Sequence, residues 1–182
     1  MAKKILVSGL PEYPDTDALS ASAPADIEHH SHKLIELLFF AYRDFVSDPD
    51  RILTDFGFGR AHHRVLHFVH LHPGLTIAEI LNILRITKQS LNRVLKELIH
   101  KGFIESRTGT NDRRQRLLFA TRTGEELSTR LSELQSKRIT RALGTVPSDA
   151  ADVVCRFLLA MIDEDDQDHV SYLVHGRQEA SE

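Results

Sequence analysis

Gln89, Arg93, Lys96 and His100 stand three or four residues apart, with Thr87 and Lys88 just before them and Ser90 and Asn92 between the first two. None of these side chains forms a nucleophile with a base; they are cations and hydrogen-bond donors or acceptors. At about 100° per residue, Gln89, Arg93, Lys96 and His100 share one side of a helix, flanked by Ser90 and Asn92. Leu91, Val94, Leu95, Leu98 and Ile99 take the opposite side. Such a polar face is suited to base edges: Gln89 can pair bidentately with adenine, Arg93 with guanine and Ser90 with either. Lys88 and Lys96 are suited to phosphates, which give affinity without sequence information. For Arg93 an alternative stays open, in which it braces a nearby turn or carboxylate. A second group, Asn111-Asp112-Arg113-Arg114, sits in a polar turn. Arg114 there suits a narrow minor groove, where negative potential is concentrated.

Charge supports this chemistry. Between Arg85 and Arg122 ten basic residues face three acidic ones, a local excess of +7 in a chain whose formal net charge is −3, which leaves −10 elsewhere. A solvated basic face with no partner would explain one basic helix. Concentration over a helix and the turn after it points to double-stranded DNA. No glycine-rich phosphate loop, nucleophile signature or paired-carboxylate motif is present, so the chain does not read as an enzyme and needs no cofactor. With 182 residues, 41% of them hydrophobic, one substantial core is expected. No apolar run approaches the 18 or so residues of a membrane span, and Ile5-Leu6-Val7 is too short for a signal-peptide core. A soluble, cytoplasmic protein is expected. The single cysteine, Cys155, excludes an intrachain disulfide. Its apolar neighbours favour a packed, inert thiol over an oxidant sensor, although Arg156 argues slightly the other way.

The elements that must position the polar face follow from periodicity. Residues 1–25 read as a poorly ordered tail around Pro11, Pro14 and Pro24. From Ile27 to Val46 the spacing of Leu34, Leu38, Ala41, Tyr42 and Phe45 predicts an amphipathic helix closed by Asp48-Pro49. A second helix is expected over Arg60–His72 with Ala61, Val65, Phe68 and Val69 inside, stopped by Pro73-Gly74. Thr76-Ile77-Ala78-Glu79 has capping-box spacing and opens a third helix, while Thr87 caps a fourth over Lys88–Lys101 that Gly102 ends. Two short helices joined so tightly must cross, which makes a helix-turn-helix. Residues 103–107 and 115–119 read as short strands around Gly109, Asn111 and Asp112, a hairpin forming a wing. Leu127, Leu131, Leu134, Ile139 and Leu143 line a long helix, Pro147-Ser148 starts another bearing Val153, Val154, Phe157, Leu158 and Met161, and 163–168 reads as a solvated acidic end.

Eleven histidines raise a metal reading. His63, His67 and His70 recur on one side of the second helix at a spacing that offers two ligands to zinc. They lie away from the expected apolar stripe without a matched carboxylate or cysteine, which fits solvent or interface surface better than a metal site. His62, nearer the apolar side, is a candidate for an effector pocket or a satisfied core histidine.

The stretch Pro73–Ile80, Ile86–Val94, Leu98, Gly102-Phe103-Ile104 and Asp112-Arg113-Arg114 leading to Thr121 and Gly124 resembles the MarR family of bacterial transcriptional regulators. Asp112-x-Arg114 is the most specific element of the likeness; Arg85, where a glycine is common, and Leu81 depart from it. The resemblance implies a mainly α fold with a small β-hairpin, a winged helix-turn-helix with an all-α dimerisation region. It places the domain at 27–165, with a DNA-binding lobe at about 57–122, dimerisation helices at about 27–47 and 123–165, and a C-terminal tail at 166–182. It implies a homodimer on a near-palindromic operator, modulated by a small effector. The DNA-contacting set is then Thr87, Lys88, Gln89, Ser90, Asn92, Arg93, Lys96, Asp112, Arg113 and Arg114, with Asp112 orienting an arginine. The rival reading is a winged-helix dimer serving as a metal-responsive sensor or interaction module without specific DNA binding. Apolar faces on the first and last two helices, too extensive for a lone winged lobe to cover, independently favour a dimer.

Overall fold

The computed structural model describes residues 25–109 and 114–176 in two compact units that divide between Asp44 and Phe45. The N-terminal tail lies outside the described residues up to 24, as do Asn111, Asp112, Arg113 and residues 177–182.

Helix α1 (Ala25–Asp55) runs through Pro49, where the sequence predicts a stop. An interior proline costs roughly 3 kcal/mol through its missing N–H and its clash with the carbonyl four residues back. Val46, Pro49 and Leu53 recur on one side and are all buried. Burial of an aliphatic side chain is worth about 1.5–3 kcal/mol, so Val46 and Leu53 together offset the proline. An ion pair from Arg138 to Asp48, 2.7 Å long, holds the same stretch. In the first unit, Leu34, Leu37, Leu38, Phe39, Phe40 and Tyr42 on α1 are all exposed.

The second unit holds the core. Helix α2 (Arg60–Leu71) packs against both α4 (Lys88–His100) and α5 (Arg122–Leu143). Being covered on two sides, α2 buries His63, Val65, Leu66 and Val69, whereas Ala61, expected inside, is exposed. Helix α3 (Ile77–Leu84) contributes Ile80 and Leu84, and α4 contributes Leu91, Val94, Leu95 and Leu98. Strands β2 (Ile104–Thr108) and β3 (Arg116–Ala120) form the expected hairpin, with Ser106 opposite Leu118. A two-residue strand β1 (Leu75–Thr76) adds to the free side of β3, giving the antiparallel order β1-β3-β2. Two residues carry no readable alternation, which is why the sequence does not announce β1. The chain continues through α6 (Ala150–Ala160) and α7 (Glu164–His175). The acidic run 163–168 is largely solvated, as expected, and it also opens α7, where carboxylates meet the positive end of the helix dipole.

The junction between the hairpin and α5 is tight. Thr121 caps α5 by accepting from the Gly124 N–H at 3.2 Å, donates its hydroxyl to the Gly102 carbonyl at 2.6 Å, and its own N–H bonds the Phe103 carbonyl. A Cβ at Gly124 would stand 2.0 Å from that Phe103 oxygen, whereas one at Gly59 would meet nothing within 4 Å. Backbone cannot move aside cheaply. Gly124→Ala should therefore destabilise the protein by about 3 kcal/mol, the upper end of the usual cost of overpacking, while Gly59→Ala, which only exchanges a favourable N-cap residue for a poor one, should cost about 1 kcal/mol or less. Urea unfolding of both variants checks this, and equal midpoints would contradict the packing account.

Candidate nucleic-acid interface

The helix-turn-helix is assembled from caps outward. At the start of α3 the Thr76 hydroxyl accepts from the Glu79 N–H at 3.2 Å, and the Glu79 carboxylate receives both the Thr76 N–H and its hydroxyl at 2.7 Å. These bonds hold the Glu79 carboxyl below the ordinary carboxylate range, the hydroxyl contributing most. At the end of α3, Arg85 sits in the left-handed region at φ 48°, ψ 47°. It is the only non-glycine residue with positive φ among the described residues, and that conformation costs roughly 1–2 kcal/mol. Several contacts hold it: its N–H bonds the Leu81 carbonyl, its guanidinium pairs with Asp166 and with Asp163 at 3.7 Å, and Arg64 donates to the Leu84 carbonyl at 3.1 Å. The turn thus adopts the backbone that glycine would supply.

Thr87 caps α4, accepting from the Ser90 N–H at 3.2 Å and donating to the Ser90 hydroxyl oxygen at 2.9 Å. Ser90 is therefore part of the cap, with its own hydroxyl proton free to donate. Gly102, at φ 77°, reverses the chain after α4, and the Phe103 N–H returns to the Leu98 carbonyl. Leu91, Val94, Leu95 and Leu98 are buried, while Thr87, Lys88, Gln89, Ser90, Asn92, Arg93, Lys96, Ile99 and His100 are exposed. The predicted division of faces is present, except that Ile99 stays on the open side.

The local positive charge sorts into two classes. Arg85 pairs with Asp166, Arg107 pairs with Glu105 and lies over the Phe119 ring, Arg122 pairs with Glu126, and Lys101 donates to the Phe56 carbonyl. Lys88, Arg93 and Lys96 form no ion pair or side-chain hydrogen bond among the described residues, and Gln89 and Asn92 likewise keep their amides open. Arg114 is exposed in the turn before β3. Asp112 and Arg113 lie outside the described residues, so their placement relative to Arg114 does too.

The histidines are arranged differently from the expectation. His63 is buried rather than on a polar surface, His67 and His70 are half-buried, and the His63 and His67 rings meet edge to face at 6.3 Å. Among the described residues no group of three or more His, Cys, Asp or Glu side chains is placed to hold a metal ion. His62 has both ring nitrogens engaged: Nδ1 accepts from the Gly59 N–H at 3.2 Å and Nε2 lies 3.0 Å from Glu97 Oε2. That is the arrangement of a satisfied histidine. Glu97 and Lys101, which the sequence offered only as charges, are structural partners, and the signal available was their four-residue spacing toward the loop before α2. Cys155 is exposed on α6, not packed. Helix α6 has no buried residue, so the apolar neighbours that suggested a buried thiol are themselves open.

Comparison with known proteins agrees with this geometry. A sequence profile described as MarR family matches residues 56–115. The HTH-type transcriptional regulator PetP of Rhodobacter capsulatus is 47% identical over 131 residues, covering 72% of this chain and 79% of that protein. Among solved structures, a SlyA-like transcription regulator from Listeria monocytogenes superposes with a TM-score of 0.61 at 18% identity, over 78% of this chain and 93% of that one. Streptococcus pneumoniae FabT, crystallised in complex with DNA, gives 0.63 at 16% identity, over 72% and 94%. These two distant likenesses concern the fold. No described helix is long and apolar enough to cross a membrane.

Burial pushes the His63 imidazole below its ordinary value, with Asp50 pulling weakly the other way. Because the unfolded ring takes up a proton near pH 6.5 and the folded one only at lower pH, acid favours the unfolded state. The contribution is complete above about pH 6.5 and is lost as pH falls below it. His63→Leu should flatten the fall in stability between pH 7 and pH 5 measured by urea titration. An unchanged slope would remove His63 from the acid response.

Proposed function

Since the chain belongs to the MarR family of DNA-binding transcriptional regulators, we propose that it acts as a homodimer on a near-palindromic operator, under control of a small effector. Its work is regulation through DNA binding and not catalysis. The observation that carries the operator reading is the open face of α4, where Lys88, Arg93 and Lys96 are exposed and uncompensated beside Gln89 and Asn92. Three exposed cations on one helix, beside two open amides and followed by the basic turn of the hairpin, suit phosphate and base edges.

In this reading α4 enters the major groove by its first turns. Gln89 and Arg93 select bases, Ser90 donates from the cap, and Lys88 and Lys96 hold phosphates. Arg114, with Arg113 beside it and Asp112 orienting one of the two, reaches the minor groove from the wing. The second copy covers apolar faces that a single chain leaves in water: Leu37, Phe39 and Phe40 on α1, and Val153, Phe157 and Leu158 on α6 with Met161 at its C-cap. Apolar exposure of this kind, on each of the two helices taken by itself, marks an interface.

Two tests follow. On a duplex selected in vitro with the wild-type protein, Arg93→Ala should relax preference at one position in each half-site. Lys96→Ala should weaken selected and random duplexes alike and reduce the salt slope by about one. Loss of affinity in both variants with preference intact would contradict this division of roles. Phe157→Asp should shift sedimentation from dimer to monomer, since an interfacial carboxylate must be desolvated without a partner. A variant that sediments as the wild type would move the dimer contact away from α6.

A further inference from the structure

We infer that His62, Glu97 and Lys101 are positioning residues that set the angle of α4 from the junction between α1 and α2; this rests on the reading of α4 as the base-reading helix.

The contacts converge on one short segment. The Gly59 N–H donates to His62 Nδ1, so Nε2 carries the ring proton and donates to Glu97 Oε2 at 3.0 Å. The His62 ring stacks on Phe58, centroids 4.8 Å apart and 19° from parallel, which fixes its plane. One helical turn beyond Glu97, Lys101 donates to the Phe56 carbonyl at 2.5 Å and places its ammonium 4.7 Å from the centroid of the same Phe58 ring. Glu97 and Lys101 lie four residues apart and hence on one side of α4. The last turn of α4 is thereby held at two points by residues 56–62.

The opposite end is held otherwise. Apart from the Thr87–Ser90 cap, the exposed side chains from Lys88 to Lys96 have no polar tether among the described residues. A helix of 13 residues is about 20 Å long, so a tilt of about 5° about its C-terminal end moves its first turn by roughly 1.7 Å. Paired hydrogen bonds to a base edge tolerate about 0.5 Å. The polar clamp at Glu97 and Lys101 accordingly controls selectivity more than it controls charge.

The test compares His62→Phe, which keeps a ring on Phe58 but removes both hydrogen bonds, with Glu97→Ala, Glu97→Gln and the double variant His62→Phe/Glu97→Ala. Two probes are used: the duplex selected with wild-type protein and a random-sequence duplex. His62→Phe and Glu97→Ala should each weaken the selected duplex about tenfold, the worth of one bidentate base contact, and the random duplex less than twofold. Glu97→Gln, which still accepts from Nε2, should stay near wild type, and the double variant should be no worse than the singles. Equal losses on both duplexes, or none, would overturn the inference. If His62→Phe fails to fold, the half-exposed Glu97 carries the comparison. If wild-type protein selects no duplex, the operator reading fails instead. Amide exchange then decides: Glu97→Ala should speed exchange across 88–101 with α2 protection intact, and unchanged exchange in α4 overturns the clamp.

Discussion

Leu91, Val94, Leu95 and Leu98 are withdrawn from water, and that burial fixes the rotation of α4 about its own axis. Everything on the opposite side is then forced outward. At about 1.5–3 kcal/mol per buried aliphatic side chain, turning α4 to pair Arg93 or Lys96 with protein carboxylates would expose more than any surface ion pair, worth about 0–1 kcal/mol, would return. The uncompensated cations are thus a consequence of core packing, and the core is itself closed by α2 on one side and the hairpin on the other.

Other cations of the segment belong to the architecture. Arg85 keeps a left-handed turn beside Asp166, Lys101 ties α4 to the loop before α2, and Arg107 lies on Phe119 in the sheet. The same +7 segment therefore combines scaffold cations with binding cations. Only three-dimensional placement separates them.

The helix-turn-helix was legible because its signals are local. Capping boxes, 3.6-residue periodicity and a glycine stop each act within one or two turns, and α3, α4 and the β2–β3 hairpin follow from them. What escaped depends on distant partners. Pro49 continues α1 because Leu53 reaches the core, α2 exposes Ala61 and buries His63 because two helices cover it, and β1 exists only as an addition to β3. In the candidate site, Gln89, Arg93, Lys96 and His100 share the open face that periodicity assigned them, with Ser90 and Asn92 exposed at its flanks. His62 and Lys101 could be listed from sequence but not understood, since their partners lie 35 and 45 residues away.

The central claim is that the open face of α4 reads the major groove, and dimethyl sulfate footprinting tests it most directly because the reagent methylates guanine N7 in that groove. On the duplex selected with the full-length protein, protection should appear in two clusters about one helical turn apart, the spacing of half-sites read by a dimer, and Arg93→Ala should lose protection at one guanine in each cluster. A stable complex that leaves every guanine N7 as reactive as in free DNA would contradict the account.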